Sequence, residues 1–297
     1  MANWATIEVE DTDGVRTIWL NRPDRLNAFT TEMGTELASA IQEAGNDDDV
    51  RALVVAGRGR AFSAGMDLDG GEDGVNVFGL DPELRPTLTD LRSRPADPVL
   101  RDRVRDSGGR LTLAIRESPK PIVAAIHGPA VGIGVTMTLP MDVRIAGEEA
   151  RFGFVFGRIG VVPEALSSWY LPRIVGLPRA LELTLGADVI DAVEALEMGL
   201  VRKVVPTESV LSTAIEFADS MTRDRSPVGV ALTRQMMHRN SALEDPFEAH
   251  LIESMAMFEM ARGDGQEGIA AFREKRTPRF RSRVSRDMPD FYPWWTE

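Results

Sequence analysis

Few residues in this 297-residue chain are placed to do chemistry. Cysteine is absent, which removes thiolate nucleophiles, disulfides and thiolate metal sites together. The three histidines, His127, His238 and His250, lie far apart and form no H-x-x-x-H or H-E-x-x-H pattern, so no metal site is expected. Gly132-Ile133-Gly134 would open a dinucleotide fingerprint, but Met137 fills its third slot. There is no phosphate-binding G-x-x-x-x-G-K-[ST] loop and no G-x-S-x-G elbow, and Ser63 has no convincing histidine partner. One acid stands out. Glu164, in "VVPEALSS", follows a proline and precedes an apolar helical pattern. Such an acid is either a favourable charge at a helix start, worth about 0.3–1 kcal/mol, or a general base.

Two stretches could frame that acid. "RALVVAGRGRAFSAGMDL" (51–68) and "PIVAAIHGPAVGIGVTM" (121–137) each run from a continuous apolar segment into a glycine-bearing turn. Such apolar runs read as strands buried on both faces. The second turn leads into a helix over "TMTLPM". Glycines let the backbone turn sharply and let a ligand approach the main chain. Two such turns face to face would aim a pair of amide donors at one oxygen, an oxyanion hole.

Around these stretches the pattern is mixed α and β. Residues 6–23 alternate about Asp13-Gly14 as a hairpin. Residues 30–49 read as an amphipathic helix capped by Thr30 or Thr31, and "DVRIAGEEARFGF" as two short strands about a turn. Residues 69–97 are rich in Gly, Pro and charge with weak periodicity, which fits a mobile lid. Helical spacing returns at Leu100, Val104, Leu111 and Ile115, broken by Gly108-Gly109. "EALSSWYLPRIV" begins a helical series interrupted by the short strand "VRKVV", and helices fill the last third. The expected division is an α/β core over 1–205 and a helical region over 206–297.

The stretches "LNRPDRLNAFT", "GRAFSAGMDL", "PIVAAIHGPAVGIG", "DVRIAGEEARFGF" and "PEALSSWYLPRIVG" together resemble the crotonase (enoyl-CoA hydratase/isomerase) superfamily, from about residue 6 to 276. The resemblance implies a spiral of repeated ββα units with C-terminal helices that assemble trimers or pairs of trimers. It implies an acyl-CoA substrate, with coenzyme A as part of the substrate and no separate cofactor. It implies an enolate held by two backbone amides, here those of Ala64 and Ile133. Contacts to CoA are implied for Arg25, Ala28, Ala64, Met66, Asp67, Leu68 and Lys275.

The departures carry the functional reading. Hydratases of the family commonly use two glutamates. The first follows the second glycine turn, where this chain has Thr136. The second would fall at Phe156. Threonine offers no useful base near neutrality. The single-glutamate enoyl-CoA isomerases of the family resemble "PEALSS" more closely, which makes Glu164 the expected base. Asp67 reads as a turn-bonding residue, His127 as a satisfied structural histidine, and Ser167 and Ser168 as packing in the first helical turn. Phe258 with Met255, Met257 and Met260 fits a core or subunit contact, and the tail "MPDFYPWWTE" is expected to pack on the body or a neighbour.

Composition sets the outer limits. Acids outnumber bases 46 to 34, a net charge of −12, which argues against nucleic acid and anionic membranes as partners. The apolar runs are too short to span a bilayer. The N-terminus lacks a signal-peptide pattern, and a cytoplasmic location is expected. The reading is an enoyl-CoA isomerase acting through Glu164. A 2-enoyl-CoA hydratase is the alternative, and an acyl-CoA-binding protein that has lost catalysis is the rival of another class.

Overall fold

The computed structural model describes residues 4–68, 81 and 83–296. The hairpin forms as expected, β1 (Ile7–Thr12) antiparallel to β2 (Val15–Leu20), with both Asp13 and Gly14 at positive φ as a tight two-residue turn requires. Helix α1 (Thr31–Asn46) starts at Thr30, whose side chain accepts from the Met33 amide at 3.1 Å. It buries Met33, Leu37, Ala40 and Ile41 and returns the chain to β3 (Ala52–Gly57), parallel to β2. Lys120 closes the other end of α1, its buried ammonium donating to Ala44 O at 2.5 Å and to Asp47 O.

Beyond β3 come α2 (Leu88–Ser93), α3 (Pro98–Arg103) and α4 (Ser107–Glu117). Part of the expected lid, residues 69–80 and 82, lies outside the described residues. Within the remainder, α2 is more structure than the weak periodicity suggested. Its helix is set by a capping box between Thr87 and Asp90, a polar signal that hydrophobic spacing does not carry.

Strand β4 (Ile122–Ile126) adds parallel to β3, and the chain then passes to a second layer as β5 (Ala130–Val131). One turn of helix, α5 (Ile133–Thr136), follows, three residues earlier than the sequence pattern placed it, because Gly132 at φ 53° ends the strand. β6 (Val143–Gly147) rejoins the main sheet and β7 (Arg151–Gly153) the second. After α6 (Ser167–Val175) and α7 (Leu177–Gly186) come β8 (Val189–Asp191), α8 (Ala192–Glu197) and β9 (Lys203–Val205). Among the described residues the main sheet has the order β1-β2-β3-β4-β6-β9 and the smaller one β5-β7-β8. Single bridges, Phe29 to Met66 and Ser63 to Ala130, extend the smaller layer back toward the start of the chain. Each turn of this spiral thus crosses from the large sheet to the small one and returns.

The apolar runs are explained by burial on both faces. Leu53, Val55, Ile122 and Ala124 face the main core with α1 and α4. Val54, Ala56, Val123 and Ala125 face α9 (Val210–Thr222) on the other side. The first helix after residue 206 therefore belongs to the cover of the sheet. A separate cluster forms beyond it, where α10 (Pro227–Asn240) and α11 (Pro246–Arg262) pack with Met288, Phe291, Tyr292 and Trp294. The aromatic tail thus packs on the body. Met255, Met257 and Phe258 stay largely exposed, so they are not core in this chain, whereas Met260 is packed against the cluster. Helix α12 (Asp264–Glu274) follows α11. No helix among the described residues is long and apolar enough to cross a membrane.

Candidate active site

The two glycine turns meet as their sequence suggested. Ser63 N donates to Pro129 O at 3.0 Å, and Val131 N donates to Ser63 O at 3.0 Å. The approach leaves no space for side chains: a Cβ on Gly134 would lie 2.4 Å from Ser63 O. On its other side the first turn pairs with the 26–29 segment. Ala64 N donates to Leu26 O at 3.0 Å, Phe29 N to Gly65 O at 2.7 Å and Asp67 N to Phe29 O at 2.9 Å.

These bonds correct one expectation. The Ala64 amide is committed to Leu26 O and is not a free donor. Gly65 takes φ 101°, which re-aims the chain, and the amide left without an acceptor among the described residues is that of Met66. Ile133 is the first residue of α5, where helix geometry leaves the N–H unpaired. Its amide likewise has no acceptor among the described residues. The amides of these two turns left open to an acceptor are therefore those of Met66 and Ile133.

Glu164 reaches the second turn from a different element. It lies three residues before α6, because Ala165 and Leu166 both adopt left-handed backbone (φ 52° and 56°) and delay the helix to Ser167. It is thus not a helix-start acid, and the bland explanation of its position falls away. Thr136 Oγ1 donates to Glu164 Oε1 at 2.5 Å. Oε2 and the Cδ1 tip of Ile133 both lie 2.5 Å from the point a Cβ on Gly108 would occupy, so the carboxylate sits beside the second turn. Burial pushes the Glu164 carboxyl up to about 8; the Thr136 hydrogen bond works against this and the nearby charge of Asp106 adds to it. Desolvation outweighs a single neutral donor, as expected where apolar side chains line the site. Phe156, at the other position where an acid was sought, is buried in the core. Ser167, also buried, donates to Glu164 O at 2.6 Å and so helps close the turn, which is more than packing.

The residues expected to touch CoA divide. Arg25, Ala28, Ala64, Met66, Asp67 and Leu68 come to one edge through the 26–64 and 29–66 pairings, with Arg25, Ala64 and Leu68 exposed. Asp67 accepts Arg22 Nη2 at 2.6 Å, and Arg22 Nη1 donates to Ala28 O at 2.5 Å. Asp67 is thus an ion-pair partner across the edge, and Arg22, unnoticed in sequence, ties two expected contacts together. Lys275 stands apart as the exposed left-handed residue ending α12, with no bond to that edge among the described residues. His127 is satisfied structurally, its Nε2 lying 2.9 Å from Gly59 O. Among the described residues no cluster of acids and histidines could hold a metal ion.

A two-layer spiral whose paired glycine turns present free amides near one half-buried carboxylate defines an α/β enzyme of the crotonase type. The chain belongs to the enoyl-CoA hydratase/isomerase family, whose model matches residues 10–283. It is 40% identical to an enoyl-CoA hydratase of Alternaria alternata over 95% of this chain and 88% of that one. It is 33% identical to the 1,2-epoxyphenylacetyl-CoA isomerase of Escherichia coli over 90% and 95%. The crystal structure of an enoyl-CoA hydratase from Bacillus anthracis superposes with a TM-score of 0.77, at 28% identity, over 93% of this chain and 99% of that one. The chain is an enzyme of this hydratase/isomerase group.

Proposed function

We propose that the enzyme isomerises 3-enoyl-CoA to 2-enoyl-CoA through Glu164 alone. The ionised carboxylate takes a proton from C2. The electron pair moves into the thioester, and the resulting dienolate oxygen rests on the amides of Met66 and Ile133. The double bond between C3 and C4 shifts to C2–C3 as Glu164 returns its proton to C4. No atom enters or leaves, so one group suffices, whereas adding water is easier with two. The edge formed by Arg25, Ala28, Met66, Asp67 and Leu68 receives the CoA portion.

The observation that carries this reading is the single acid. Thr136 and Phe156 occupy the other two positions, and Glu164 is held near the second turn with its carboxyl raised to about 8. That value lets it hold a proton between the two transfers at neutral pH. Relatives named hydratases favour water addition instead, and the test separates the two. The purified enzyme is given 3-enoyl- and 2-enoyl-CoA of several chain lengths in ¹⁸O water. Isomerisation predicts 2-enoyl-CoA without label, abolished in Glu164→Gln. Labelled 3-hydroxyacyl-CoA as the main product would assign a hydratase.

Assembly as a trimer or a pair of trimers belongs to the same proposal. It is supported by Leu177, Leu181 and Leu185, which lie exposed at four-residue spacing along one face of α7. Light scattering that gives a monomer mass would overturn it.

A further inference from the structure

Two adjacent glycines open α4 in Asp106-Ser107-Gly108-Gly109, where better helix formers would serve the helix itself. Packing around them explains both. The Asp106 carboxylate caps the helix, Oδ1 accepting Gly108 N at 3.0 Å and Oδ2 accepting Gly109 N at 2.7 Å. Oδ2 also accepts Ala165 N, the amide immediately after Glu164, at 2.7 Å. Thr112, in the next turn of α4, donates Oγ1 to Ala165 O at 3.0 Å. Both backbone polar groups of Ala165 are therefore tied to one helix.

That tie has strain to hold. Ala165 and Leu166 are consecutive non-glycine residues in the left-handed region (φ 52° and 56°), which L side chains rarely adopt. The glycines provide the space. A Cβ on Gly109 would lie 2.9 Å from Asp106 Oδ2, and one on Gly108 would lie 2.5 Å from Glu164 Oε2.

We propose that the first turn of α4 is the seat of the Glu164 carboxylate: Asp106 is the positioning residue that holds the strained turn, and Gly108 leaves the gap the carboxylate fills. The proposal rests on Glu164 as the base. Asp106 serves as an acceptor, its two oxygens taking the N–H groups of Gly108, Gly109 and Ala165. The groups facing Glu164 are Thr136 from α5, which donates to it, and Asp106 from α4, the charged side chain that acts on it among the described residues.

Two variants test the seat. Asp106→Asn keeps one acceptor oxygen but removes the charge. Gly108→Ala suits a helix; its Cβ displaces the ends of the Glu164 and Ile133 side chains and presses on the Ala165 Cβ at 3.1 Å, and an unchanged urea midpoint shows that it folds. Both are expected to lower kcat on the order of tenfold to a hundredfold with KM little changed. In Asp106→Asn the pH limb due to Glu164 moves to lower pH, because the charge opposing its ionisation is gone. Wild-type kcat and an unmoved limb in both variants would overturn the seat. A titration of ¹³C-labelled glutamate carboxyls, with Glu164 identified as the signal missing from Glu164→Gln, reads positioning without turnover. If Glu164→Gln stays active while that titration shifts in Asp106→Asn, the base is refuted and the seat stands. If it does not shift, the seat is refuted.

Discussion

Thr136 Oγ1 and Glu164 Oε1 are 2.5 Å apart, with the threonine donating. The residue at the position of a missing acid thus orients the acid that remains. It occupies one carboxylate oxygen and leaves Oε2 toward Ile133 and Gly108. The bond favours the ionised form, while burial opposes it. Thr136→Val removes the donor and keeps the shape. The limb on which the rate rises with pH should then move to higher pH, opposite in direction to Asp106→Asn, and kcat near neutrality should fall about tenfold. A pH–rate profile in which the valine variant matches the wild type would deny the bond any role.

The ionisation of Glu164 also links activity to stability with opposite signs. As the base it must be ionised, so kcat should rise as pH increases through about 8. A carboxyl whose folded value is raised stabilises the fold fully below its unfolded value of 4.5, and that contribution is lost as pH rises through about 8. Glu164→Gln has no charge to bury. Its Tm relative to wild type should therefore increase between pH 5 and pH 9, while its activity is low at both. Equal Tm differences at the two pH values would show that the carboxyl is not raised.

The meeting of the turns gives a prediction independent of protonation. A Cβ on Gly134 would lie 2.4 Å from Ser63 O, a backbone atom that no rotamer change can move. Gly134→Ala should separate the turns, cost about 1–3 kcal/mol and misplace the Ile133 amide. Urea unfolding would show the loss as a lower midpoint, and kcat should fall more than the residual folded fraction explains.

How much of this was legible in the sequence follows from the range of each interaction. The runs over 52–57 and 122–126 were readable because burial on two faces leaves an unbroken apolar pattern. Glu164 was readable because Thr136 and Phe156 stand at the two usual acid positions and "PEALSS" resembles the single-glutamate pattern. The direction of each amide was not. The Ala64 amide is bonded and the Met66 amide is left open because Gly65 takes φ 101°, and a glycine letter permits that angle without requiring it. The left-handed pair Ala165-Leu166 was hidden because neither residue favours that region, and the partners that impose it, Asp106 and Thr112, are more than fifty residues away. Arg22 with Asp67 was hidden for the same reason. The break at Gly108-Gly109 was visible as a fault in a helix, but its purpose depends on what packs there.

The aromatic tail makes the last prediction. Trp295 lies under the Arg239 guanidinium, 3.2 Å from its carbon to the ring centroid, and Tyr292 and Trp294 meet the same indole edge-on. Burial holds the Arg239 guanidinium down to about 10, so it is a cation that has lost water and gains from a ring face. Cation–π contacts of this kind contribute about 0.5–2 kcal/mol. Trp295→Ala should lower stability by that order and loosen the tail from α10, with kcat nearly unchanged, since neither the glycine turns nor Glu164 touches it. Hydrogen exchange should report faster labelling over residues 289–296 and over the end of α10 only. A comparable loss of kcat would tie the tail to the active site instead.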